Sequence, residues 1–286
     1  MPELITSRRN PLVKRLRELH VGKGRREQGL LLAEGTHLLQ EARRLDLLPV
    51  ELLATQAWAD KHPELWEGWP DQVRRYCVDG LVLAAVATTA QADGVVFSLA
   101  PPAAPSEPLP ARQPVPARQP VPASQPSFVL VLDGLQDPGN LGTLMRTALA
   151  AGVEALWLAE GADPFQPKVL RSSAGAALAL PIERIGRPEL EERLWAAAGR
   201  GMQLAAAVPP GLSQADGKGP LAYWQLDWLR PTALLLGNEG AGLAAELQAI
   251  ATHLITIPHC QAVESLNVAV SAAPLLLERL RQRSGT

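Results

Sequence analysis

The sequence predicts an α/β protein of two domains, a small mixed one first and a larger one built on a parallel sheet after it. Three observations lead there. A proline-rich stretch divides the 286 residues; beyond it short apolar runs alternate regularly with helical patterns; before it the same two signals are mixed. Hydrophobic residues make up 47 % of the chain and charged residues 20 %, the balance of a chain that buries a core.

The first domain is placed at residues 1–100. LVKRLRELHVGKG reads as a basic amphipathic helix ending near Gly22 or Gly24. LLLAEG follows, then a helix through THLLQEARRLD and short apolar strands at VELLAT, VLAAVA and GVVFSLA. Residues 1–29 hold eight Lys/Arg (Arg8, Arg9, Lys14, Arg15, Arg17, Lys23, Arg25, Arg26) against Glu3, Glu18 and Glu27. The local net charge is therefore +5 in a chain whose total is -2. A basic end on an acidic body fits contact with a polyanion, and equally a solvated helix face.

The linker is placed at 101–127. Residues 101–126 hold ten of the 26 prolines and a repeat, ARQPVP, at 111–116 and 117–122. Proline fixes φ and removes donors, so a semi-rigid, extended segment without a core is expected.

The second domain is placed at 128–286. Strands are expected at FVLVLDG, ALWLAE, LALPIERI, MQLAAAV, TALLLG and LITIP. Helices are expected at TLMRTALAAG, QPKVLRSSAGA, PELEERLWAAAG, GLAAELQAIA and VAVSAAPLLLERLRQR. Strands alternating with helices imply a parallel sheet covered on both faces, with ligands bound beyond the carboxyl ends of its strands.

Three loops lie there. LQDPGNLGTLMR carries Asn140 at a helix start and Arg146 about two turns on; taken singly, these read as an N-cap and a surface charge. GNEGAG (237–242) lets a ligand approach the backbone closely, and Glu239 reads as a favourable charge at a helix N-terminus. Its glycine order is not GxGxxG, which weighs against a nucleotide-dependent oxidoreductase. HCQAVESLN (259–267) offers Ser265 and Asn267 as caps of the final helix, whose stripe Val268, Val270, Leu276, Leu277 and Leu280 reads as packing.

Other classes find little support. No apolar run approaches the ~20 residues of a membrane span, and the N-terminus has no apolar signal region. Cys77 and Cys260 form no ligand or disulfide pattern, and His20, His37, His62, His253 and His259 are scattered, so no metal site is expected. A cytoplasmic protein is the expectation.

Together the three loops resemble the motifs of the SpoU/TrmH family of RNA 2′-O-ribose methyltransferases, within the knotted SPOUT superfamily. PGNLGTLMRTALAAG looks like the first motif, LLLGNEGAGL the second and ITIP…ESLNVAVSAAPLLLE the third, in the family's order. KVLRSSAGAALALPI is similar to a stretch between the first two, and the likeness spans roughly 128–283. ITSRRNPLVKRLREL and LLAEGTHLLQEA resemble the small substrate-binding domain of many members.

The resemblance implies a deep trefoil knot, an exception to the rule that chains do not thread loops. It implies S-adenosylmethionine as donor, held by backbone groups at Gly237, Ile257 and Leu266. It implies a homodimer whose sites take groups from both subunits, with RNA as substrate, ribosomal RNA preferred and transfer RNA the alternative. Arg146 is implied as the central catalytic side chain, stabilising a developing alkoxide and gripping a phosphate, because guanidinium stays protonated. Asn140 positions the ribose or Arg146, Glu239 orients that arginine or shapes the donor loop, and Ser265 and Asn267 fix the third loop. Two residues depart from the family pattern: Pro274 falls inside the final helix, and His259 follows Pro258 where members often carry an apolar residue. A non-catalytic RNA-binding protein on the same fold is the rival reading.

Overall fold

The computed structural model describes residues 3–102, 126–212, 219–260, 262–263 and 265–285. The ARQPVP repeats lie outside the described residues. Two compact units are formed by the described residues of Met1–Ala103 with Asp163–Ala179, and of Ala104–Ala162 with Leu180–Thr286.

The first unit contains β1 (Glu3–Ile5), α1 (Pro11–Glu18), α2 (Gly22–Gln28), β2 (Leu31–Glu34), α3 (Thr36–Arg44), β3 (Pro49–Ala54), α4 (Gln56–Lys61), α5 (Pro63–Glu67), β4 (Arg74–Val78), α6 (Gly80–Val86) and β5 (Val95–Leu99). The strands form one sheet in the order β1-β4-β3-β5-β2, with β5 antiparallel to both neighbours. Val13, Leu16 and Leu19 pack with Val82, Leu83 and Val86 in its core.

Two expectations are corrected here. VLAAVA is the helix α6, not a strand: Asp79 accepts the Val82 N–H at 2.7 Å, and the buried Val82, Leu83 and Val86 recur at helical spacing. The basic helix stops at Glu18, and Gly22 and Gly24 belong to α2. Gly24 is there because a Cβ would run into the Glu18 carbonyl.

The segment Asp163–Ala179, taken from the span expected as the second domain, clusters with this first unit. Its helices are α8 (Pro167–Ser172) and α9 (Ala176–Ala179), and α8 lies on β2. The buried Arg25 holds Asp163 at 2.6 Å, and Arg171 donates to Thr88.

The second unit contains β6 (Phe128–Asp133), α7 (Pro138–Ala150), β7 (Ala155–Ala159), β8 (Ile182–Ile185), α10 (Arg187–Gly199), β9 (Gln203–Ala207), β10 (Leu221–Ala222), β11 (Thr232–Leu236), α11 (Ala245–Ile250), β12 (His253–Thr256) and α12 (Val268–Ser284). Every pair in the seven-stranded order β10-β12-β9-β11-β6-β7-β8 is parallel. β6, β7 and β11 are buried at every position, as strands covered on both faces must be. Val129 and Val131 meet Leu190 and Leu194 of α10 and Leu247 of α11. Phe128, one step out of phase, faces Arg279 of α12 and stacks edge-on with Trp228.

Arg279 is a buried clamp. Its Nη1 donates to the carbonyls of Trp228 and Arg230 at 2.7 and 2.8 Å, and Nη2 to Ser127 Oγ at 3.2 Å. Burial, reinforced by nearby Arg283, lowers its pKa to about 10.

The stripe on the final helix is divided. Leu276 is buried beside Ala272 and Leu275, but Val270, Leu277 and Leu280 are 63 %, 42 % and 36 % exposed. Residues 270, 277 and 280 share a face at 3.6 residues per turn, and that face is turned outward. The helix continues past Pro274 to Ser284.

Candidate active site

The first loop is built by Asp137, not by Asn140. Asp137 caps α7, accepting the Asn140 N–H at 2.8 Å, and Pro138 occupies the first helical position. This places Asn140 inside the first turn and frees its side chain, which corrects the expected N-cap.

That side chain joins the three loops. Asn140 Nδ2 donates to Glu239 Oε1 at 2.9 Å, and Asn140 Oδ1 accepts from Asn267 Nδ2 at 3.2 Å. Asn267 Oδ1 is committed to the backbone N–H groups of Ala269 and Val270, at 2.9 and 3.2 Å, so its amide nitrogen must face Asn140. The carboxylate at the other end can only accept. Both ends of the chain therefore assign the orientation of the Asn140 amide.

Glu239 is not at a helix N-terminus, since α11 begins only at Ala245. It sits in a tight turn closed by reciprocal backbone bonds between Asn238 and Gly242, at 3.0 and 2.9 Å. Asn238 Oδ1 accepts the N–H groups of Gly240 and Ala241. A Cβ on Gly237 would overlap the backbone of Gly242 and Leu243, and Gly242 has φ +71°, so both glycines are dictated by the turn.

Asn267 caps α12 as expected, but Ser265 does not. Ser265, Leu266, Gly237, Glu239 and Ile257 instead line one cavity of about 480 Å³ beyond the carboxyl ends of β9, β11 and β12. His259 also lines it, with Nδ1 2.8 Å from the Ile257 carbonyl. An open depression of about 640 Å³ in the first unit, beside Trp66 and Tyr76, contains none of the three loops.

Arg146 stands apart from this network. It is exposed on α7 and makes no hydrogen bond or ion pair among the described residues. Three groups escaped the sequence reading: Asp137, Asn238 and Thr256. Asp-Pro before an apolar periodic run was a legible helix-start signal for the first. Nothing in the sequence marks Thr256, whose Oγ1 is buried against the cavity with no hydrogen-bond partner among the described residues.

A cavity of this size suits a drug-sized ligand. Its glycine wall admits close backbone approach, the orphaned Thr256 hydroxyl awaits a polar group, and the Glu239 carboxylate complements a cation. A model of the SpoU rRNA methylase family matches residues 127–277, more than half of the chain.

The chain belongs to that family.

A second family model, of an MRM3-like substrate-binding domain, matches residues 10–96. An uncharacterized tRNA/rRNA methyltransferase of Synechocystis is 42 % identical over 98 % of this chain and 94 % of its own length. The 23S rRNA (guanosine(2553)-2′-O)-methyltransferase RlmP of Bacillus subtilis is 31 % identical over 95 % of this chain and 97 % of its own. Among solved structures, the AdoMet-bound rRNA methyltransferase from Sinorhizobium meliloti aligns with a TM-score of 0.77 at 28 % identity, covering 98 % of both chains. S-adenosylmethionine is the cofactor of SpoU methyltransferases, and the residues lining the cavity fit it.

Proposed function

We propose that this SpoU methyltransferase methylates a ribose 2′-hydroxyl of ribosomal RNA. The observation that carries the reading is the bridge from Glu239 through Asn140 to Asn267, which locks the three motif loops together at the edge of the donor cavity. When bound, S-adenosylmethionine supplies an electrophilic methyl carbon on a sulfonium centre. The ribose hydroxyl would have to pass its proton to a backbone phosphate or water as it accepts the methyl group, so alignment and alkoxide stabilisation are the protein's tasks.

Gly237, Ile257 and Leu266 are assigned to the donor, with Ser265 and Asn267 holding the third loop against it. Asn140 and Glu239 orient the ribose end of the site. Arg146 stabilises the alkoxide and takes the adjacent phosphate as a planar fork. Its exposure and its lack of a partner among the described residues leave its donors available to RNA. A homodimer completes the site, and the exposed Val270, Leu277 and Leu280 on α12 support it as an apolar face needing a cover. The deep trefoil knot belongs to the same proposal, as what membership of the family implies. Residues 1–100 are assigned to RNA reading, with their basic first 29 residues on phosphates. No helix of the described residues is long and apolar enough to cross a membrane, and the cytoplasm is the proposed location.

The test is transfer of radiolabelled methyl from S-adenosylmethionine to unmodified rRNA and tRNA pools, with Arg146→Ala as control. Label at a ribose 2′-oxygen of rRNA that vanishes in the control is expected. Label in tRNA alone would move the substrate, and donor binding without transfer to either pool would favour the non-catalytic rival.

A further inference from the structure

The carboxyl end of β6 grips the glycine turn from both sides. Asn238, at the start of the turn, donates from Nδ2 to the Gly134 carbonyl at 2.8 Å. Two residues past its end, the backbone N–H of Ala244 donates to Asp133 Oδ2 at 3.2 Å. Neighbouring residues 133 and 134 thus anchor 238 and 244, and the segment between carries Glu239 and one wall of the cavity.

Asp133 is buried, and its Oδ1 accepts from Arg187 Nη2 at 2.6 Å. As a stabilising device this pair is poor. The carboxylate is shielded from water, and Arg187 Nε is buried with no hydrogen-bond partner among the described residues. What the carboxylate does have is geometry: one oxygen is held by the guanidinium, which aims the other at the loop.

We propose that Asp133 is a positioning residue for donor binding, fixing the 238–244 loop so that Gly237 and Gly242 back the cavity and Glu239 reaches Asn140. The proposal rests on the reading of this cavity as the donor site.

The test is calorimetric binding of S-adenosylmethionine and of S-adenosylhomocysteine to the full chain. Wild type is compared with Asp133→Ala, Ala244→Pro and the double variant, with melting temperatures and the KM for RNA alongside. Ala244 has φ -55°, a value proline adopts, so Ala244→Pro deletes the N–H donor while leaving the Asp133–Arg187 pair intact. Each single variant is expected to raise Kd for both ligands about tenfold, and the double variant no further, because both remove one hydrogen bond. The KM for RNA should stay within twofold. If Asp133→Ala fails to fold, Ala244→Pro carries the test alone. Folded Ala244→Pro that binds donor within twofold of wild type overturns the proposal, as does full additivity in the double variant. Failure of the wild-type chain to bind either ligand overturns the donor reading and this proposal with it.

Discussion

Asn140 donates to Glu239 at 2.9 Å across 99 residues of sequence, and the same amide accepts from Asn267 on its other side. One short side chain therefore ties the first motif loop to the second and the third. Substituting Asn140 by Ala unties all three. We expect methyl transfer to fall about 100-fold, the scale of losing one positioned group in a preorganised site. Single-turnover transfer to rRNA measures it. Near-wild-type turnover would remove the bridge from the catalytic account.

Arg146 should separate function from stability. It is exposed and has no partner among the described residues, so Arg146→Ala is expected to leave the melting temperature within about 1 °C, in line with neutral surface substitutions. Activity should fall at least about 100-fold, and Arg146→Lys should not restore it if planar, bidentate contact is what matters. Lysine at a near-wild-type rate would sink the fork role.

Gly237→Ala is a packing prediction. Its Cβ would overlap the Gly242 and Leu243 backbone, and no flexible side chain can yield there. A cost of about 1–3 kcal/mol is expected from thermal unfolding, together with loss of donor affinity as the turn shifts. A variant that keeps both would show that the turn is not tight in solution.

His253 links stability to pH. Burial first, and Arg230 second, lower its pKa below the ordinary histidine value. The folded chain therefore resists the proton that the unfolded chain accepts. The neutral ring's contribution is intact above about pH 6.5 and is lost as pH falls through the lowered folded value. Melting temperatures between pH 7.5 and 5 should drop less in His253→Gln than in wild type. Equal slopes would mean that other groups carry the acid sensitivity.

Much of the site was readable because each motif sits where strand periodicity ends. The parallel sheet follows from apolar runs of strand length separated by helical patterns, while Asn140, Glu239 and Asn267 stand out only through the resemblance of their three loops to the family's motifs. Local ambiguity accounts for the misreadings. VLAAVA is apolar enough for either element, and Asp79 as a cap decides for α6. Asn140 and Asp137 are both good caps by residue type; Pro138 at the first helical position selects Asp137. Glu239 precedes a helix in sequence, but the turn closed at Gly242 intervenes.

By itself the sequence determined the strand and helix alternation, the glycine-rich loop after TALLLG and the family, because these depend on short-range periodicity and on residue types at fixed spacing. Only the tertiary structure decided what those residues touch. Asp133 meets Ala244 across 111 positions, Asn140 meets Asn267 across 127, and the outward face of α12 appears only once its inward face is packed. The physical reason is that a hydrogen bond or a buried contact is set by distance in space, and distance in space between remote segments is fixed by the sheet that aligns their strands.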